Sequence, residues 1–67
     1  MIEEFDRVRI KATGITGDVI DIYKNSEGQL VYTVEADERG VPGGYSYGDE
    51  NDWQLFDCLI EEIEKIT

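Results

Sequence analysis

Histidine is absent from this 67-residue chain, and cysteine, proline and tryptophan occur once each. Without histidine there is no imidazole for acid–base catalysis near neutral pH and no imidazole metal ligand. A lone cysteine, Cys58, can form no intrachain disulfide and no thiolate zinc site. Small secreted domains usually depend on disulfide staples, so the expected setting is intracellular, in the cytoplasm. No stretch approaches the ~18 apolar residues of a membrane span. The opening residues, Met1 to Phe5, lack the basic and apolar pattern of a signal peptide. Positive charge is also scarce: six Lys and Arg face 16 Asp and Glu, a net charge of −10. Such a surface repels phosphate backbones and anionic lipid and attracts basic partners. The expectation is therefore a basic protein partner rather than nucleic acid or a membrane. The charge also serves solubility on its own account.

What is present fits one domain spanning residues 1–67. The apolar fraction of 40 % is enough for a core and too high for a disordered chain. At this length folding buries only ~60 % of the unfolded surface, so the core must be small. The charge is unevenly placed, with residues 1–34 at net −2 and residues 35–67 at net −8.

The N-terminal half has the periodicity of strands. Val8, Ile10 and Ala12 alternate with Arg7, Arg9 and Lys11, the period of two of a half-buried strand. Thr13 to Gly17 turns the chain, with two glycines available for positive φ. Asp18 to Tyr23 is a second β-branched run, and Asn25-Ser26-Glu27-Gly28 is a hairpin turn with Gly28 at the left-handed position. Leu30, Tyr32, Val34 and Ala36 then alternate with Val31, Thr33, Glu35 and Asp37 in a third strand. Residues 37–52 break this pattern with four of the seven glycines and the only proline. Connections of this length are usually functional or mobile.

Residues 53–66 admit two readings. As a helix, Asp52 caps it and Trp53, Phe56, Ile60 and Ile63 share a face. As β, Trp53 to Asp57 is a fourth strand, Cys58 to Glu62 a short helical turn, and Ile63 to Ile66 a fifth strand. The second is preferred, because an open three-stranded meander needs closure and edge protection. The expected fold is therefore mostly β: a single five-stranded small barrel with a short helical turn before the last strand. The alternative is a three-stranded meander plus a C-terminal helix.

That order of elements resembles an SH3-like small barrel. Asp6, Val8, Ile10, Gly17, Val19 and Ile22 resemble a KOW motif, with Gly17 at its glycine position. The likeness implies a barrel and, for KOW modules, contact with RNA or ribosomes through a basic turn. Here Thr13-Gly14-Ile15-Thr16 carries no positive charge, so the implied fold carries over and the implied RNA contact largely does not.

The candidate contact surface lies around the glycine-rich connection. Tyr45, Tyr47 and Trp53 stand there beside the acids Asp49, Glu50 and Asp52. Aromatic faces attract Lys or Arg head groups, and carboxylates add complementary charge. SH3-like domains take extended peptides on surfaces of this kind. The expected function is thus a non-enzymatic module that binds a protein or basic peptide there, with no cofactor and no metal. The competing readings are an acidic protein that mimics nucleic acid to inhibit a DNA- or RNA-binding protein, and the KOW-like ribosome-associated module. A homodimer is compatible with so small a core and its exposed sheet edges. The oxygen-rich run Asp49 to Asp52 lacks the spacing of a twelve-residue calcium loop. Cys58 has acids rather than bases nearby and is expected to be a buried structural thiol. Arg7, Arg9 and Lys11 are expected to face Glu61, Glu62 or Glu64 across a pairing of first and last strands.

Overall fold

Val8 and Ile10 point inward from the first strand and Arg7 and Arg9 outward, as the alternation requires. The computed structural model describes residues 1–49 and 51–67. These form strands β1 (Arg7–Ile10), β2 (Thr16–Lys24), β3 (Leu30–Arg39), β4 (Trp53–Leu59) and β5 (Ile63–Lys65), with a 3-10 turn at Ile60–Glu62 before the last. All pair antiparallel in one sheet of order β4-β3-β2-β1-β5. This is the expected mostly β, five-stranded architecture with a short helical turn before the last strand, although Cys58 and Leu59, expected in that turn, continue β4. The C-terminal helix is not formed. As a strand, β4 directs Phe56 and Cys58 at the core while Leu55, on its other face, is also buried.

The core consists of Val8, Ile10, Val19, Tyr32, Val34, Cys58 and Ile63, contributed by all five strands. Ile2, Ile15, Ile22 and Phe56 pack around it. The first and last strands pair with Ile10 opposite Ile63, so the chain ends close the same core.

Several details depart from the simple alternation. In β3 the four consecutive residues Val31 to Val34 are buried, while Leu30 is half exposed. Tyr45, from the connection between β3 and β4, donates its hydroxyl to the Asp57 carboxylate that also accepts the Thr33 hydroxyl. Gly14 takes the positive φ of the first turn, but Gly17 is not a turn residue: it is paired within β2. A Cβ there would overlap the Glu35 carbonyl oxygen, so Gly17 serves the close approach of β2 to β3. Asn25 organises the hairpin as expected, its side-chain oxygen accepting the N–H groups of Glu27 and Gln29, each at 3.0 Å.

The basic residues of β1 are neutralised only partly by the last strand. Arg9 meets Glu64 directly across the ladder at 3.2 Å. Arg7 turns the other way, to Asp18 on β2 and, with both terminal nitrogens, to Asp37 on β3. Lys11 lies across from Glu62, its N–H donating to the Glu62 carbonyl oxygen at 2.9 Å, but the Glu62 carboxylate instead accepts the Leu59 N–H at 2.7 Å and closes the 3-10 turn. Register explains the difference, because the antiparallel ladder sets Asp18 opposite Arg7.

Candidate functional site

The connection from β3 to β4 is anchored at two points. The backbone of Tyr45 forms a two-way bridge with Leu55, at 3.0 and 2.6 Å, which satisfies part of the outer edge of β4. Gly44 permits this approach, since a Cβ there would lie 2.8 Å from the Leu55 carbonyl oxygen. The second anchor is Asp57. One of its carboxylate oxygens accepts the Tyr45 hydroxyl at 2.9 Å and the buried Thr33 hydroxyl at 2.8 Å. Lost hydration, reinforced by the Asp57 carboxylate, pushes the Tyr45 phenol up to about 12. The same two causes raise the Tyr23 phenol above its ordinary value.

Tyr47 projects from this anchored segment. Its ring meets that of Tyr45 edge-on, 6.3 Å between centroids, and it is 93 % exposed. At that exposure Tyr47 is no part of the core. Trp53 opens β4 and is 44 % exposed, so it is not a core residue. The Arg39 guanidinium lies over its ring at 5.8 Å, and Arg39 Nε donates to the Asn51 carbonyl oxygen at 3.1 Å.

Tyr47 and Trp53 line a shallow groove of about 300 Å³ together with Ile20, Leu55, Glu35 and Asp52. A second concavity of about 160 Å³ adjoins it on the far side of Glu35 and Trp53, with Asp18, Ala36 and Asp37 completing its walls. The irregular pairing between Glu35 and Arg39 lies beside both. Within the second concavity Asp37 is held down to about 2, first by its hydrogen bonds from Arg7, then by that from Thr16.

Of the residues expected at the contact surface, Tyr47, Trp53 and Asp52 come together around one groove. Tyr45 stands beside it as an anchor. Asp49 turns inward on its own loop, where its carboxylate accepts the Asn51 N–H at 2.9 Å and its carbonyl oxygen accepts the Ser46 hydroxyl. Glu50 lies outside the described residues. Sequence reasoning passed over Ile20, Glu35 and Leu55, and it passed over the anchor Asp57. Ile20 is the extra residue of a bulge, since Val19 faces Val34 and Asp21 faces Thr33. Its sequence carries no mark of that bulge, whereas Glu35 was legible as an outward position of β3.

Cys58 lies in the core, and burial, ahead of the charges of Glu62 and Asp57, raises its thiol to about 11. Among the described residues no group of three His, Cys, Asp or Glu is placed to hold a metal ion, and no helix is long and apolar enough to cross a membrane. No protein-family model matches the chain, and no curated protein or solved structure matches it either.

Proposed function

We propose that the chain is a non-enzymatic, SH3-like interaction module that binds a basic segment of a partner protein in the groove between Tyr47 and Trp53. The observation that carries this reading is the groove's composition: two exposed aromatic rings, two apolar residues and two carboxylates line it. Rings of this kind attract Lys and Arg head groups, and acids at the rim raise the local concentration of cations. The seating of Arg39 over Trp53 supports the same chemistry. The SH3-like likeness is supported by the pairing of first and last strands and by the 3-10 turn before β5. A single buried thiol and no histidine favour a reducing compartment such as the cytoplasm and a binding role over catalysis.

The test is a pulldown at low and high salt with the intact protein beside Tyr47→Ala and Trp53→Ala variants. A protein partner lost with either ring and retained in moderate salt supports the reading. Capture of a nucleic-acid-binding protein that salt releases, and to which both substitutions are indifferent, would overturn it. That result would favour an acidic surface mimicking nucleic acid.

A further inference from the structure

We infer that the partner's basic segment adds to the open edge of β4 as an extended, antiparallel strand, with a Lys or Arg opposite Asp57. This rests on the basic-partner reading above and adds to it a backbone contact and the residue that meets the charge. β4 ends the sheet, so one side of it has no neighbouring strand. Leu55 turns both its N–H and its C=O to that side, where Tyr45 bonds them. Backbone direction alternates along an antiparallel strand, so Asp57 and Leu59 face the same way. The Leu59 N–H is taken by the Glu62 carboxylate. Gly43, which a continued pairing of the connection would set opposite Asp57, makes no backbone bond to it. Among the described residues the N–H and C=O of Asp57 thus stand without a partner on an exposed edge, the pattern that another extended chain completes.

Charge decides what completes it. In an antiparallel pair the two opposed side chains stand on the same face, so the residue opposite Asp57 meets its carboxylate. That carboxylate holds the Tyr45 and Thr33 hydroxyls with one oxygen, Oδ1, and no Lys or Arg of the described residues pairs with it. A second copy of the chain does not fit. Tyr45 and Glu62 close the edge on either side, so a two-fold pairing would have to set Asp57 against Asp57, with a net charge of −10 on each chain. A basic residue in the same place gains an ion pair together with two backbone hydrogen bonds. Asp57 also shares its face of the sheet with Trp53 and Leu55 of the groove, since alternate residues of β4 point the same way.

The test follows backbone amides by NMR while the whole chain is titrated with end-blocked Gly/Ser peptides that carry one central lysine. The parent peptide should move the Asp57 amide proton downfield and slow its exchange with solvent. N-methylation of the lysine backbone nitrogen removes the donor to the Asp57 carbonyl and should weaken binding about two- to tenfold. N-methylation of the next residue, whose N–H faces away from β4, should leave affinity unchanged. Asp57→Asn keeps an acceptor for the two hydroxyls and removes the charge; with its fold checked by circular dichroism, it should weaken the parent peptide about two- to fivefold. Equal affinity of the parent and lysine-methylated peptides, with shifts at Tyr47 and Trp53, would overturn the edge pairing and leave the groove reading standing. No binding of any peptide would overturn both. An Asp57 amide protected in the free protein, increasingly so at higher protein concentration, would put a second copy on this edge and overturn its assignment to a partner.

Discussion

Removing the Asp57 carboxylate should cost more stability than its exposed position implies, because it is the acceptor for two hydroxyls of unequal freedom. Thr33 is 5 % exposed, and among the described residues Asp57 is the acceptor its hydroxyl uses. Tyr45 is 41 % exposed and can turn its hydroxyl to water. In Asp57→Ala the Thr33 hydroxyl is left buried and unpaired, a penalty of ~1–3 kcal/mol. Loss of the Tyr45 bond adds no more than ~1 kcal/mol, since solvent replaces it. The expected loss is about 2 kcal/mol, which for a domain of this size lowers Tm by ~8–16 °C. Thr33→Val removes the stranded hydroxyl at nearly constant shape. The double variant Asp57→Ala/Thr33→Val should therefore be more stable than the sum of the two single losses predicts, by about 1 kcal/mol. Urea unfolding followed by Trp53 fluorescence measures all four proteins. The Tyr45 titration should also move down in Asp57→Ala, retaining the part of its rise that comes from lost hydration. Strict additivity of the two substitutions would refute the reasoning, because it would mean that the Thr33 hydroxyl does not depend on Asp57.

Gly17→Ala should unfold the domain or cost about 3 kcal/mol or more, since the new Cβ would overlap the Glu35 carbonyl oxygen and lie 3.0 Å from Val34 Cγ1; far-UV circular dichroism and a urea titration read this. The Cys58 thiol, raised to about 11 by burial, should react with a disulfide reagent at mildly alkaline pH only after denaturation. Comparable rates for native and denatured protein would place that thiol outside the core. Asp37 is held at about 2, below its ordinary 3.8, so its contribution is complete above 3.8 and is lost as pH falls through about 2. Solvent screening keeps that contribution below ~1 kcal/mol. Urea midpoints measured down the acid range should fall there in the wild type, and less in Arg7→Gln.

The parts of the fold that the sequence disclosed are those set by local chemistry. Alternation placed Val8 and Ile10 inward, and the Asn25–Gly28 turn set the register of β2 on β3. The need to close the meander decided that Trp53 to Asp57 is a strand, which in the structure runs on to Leu59. What remained hidden depends on which strand lies beside which. Gly17 reads as a turn glycine until β3 is seen to press against it. Arg7 turns to Asp37, a partner 30 residues away that no spacing rule names. Val31 and Thr33 follow the outward pattern of a two-faced strand, yet both are buried. At the candidate site, the open ring of Tyr47 was legible because a tyrosine among glycines has little core to enter. Asp57 was not, because its role arises from the opposition of Thr33 and Asp57 across β3 and β4.

The most direct test of the central claim is a backbone amide NMR titration of the whole chain with a Lys- and Arg-containing peptide. The account predicts that the largest shifts fall on Ile20, Glu35, Tyr47 and Trp53 to Leu55, together with the indole N–H of Trp53. Shifts confined to the opposite end of the molecule, around Leu30 and Ile60, or no shifts at any peptide concentration, would contradict it.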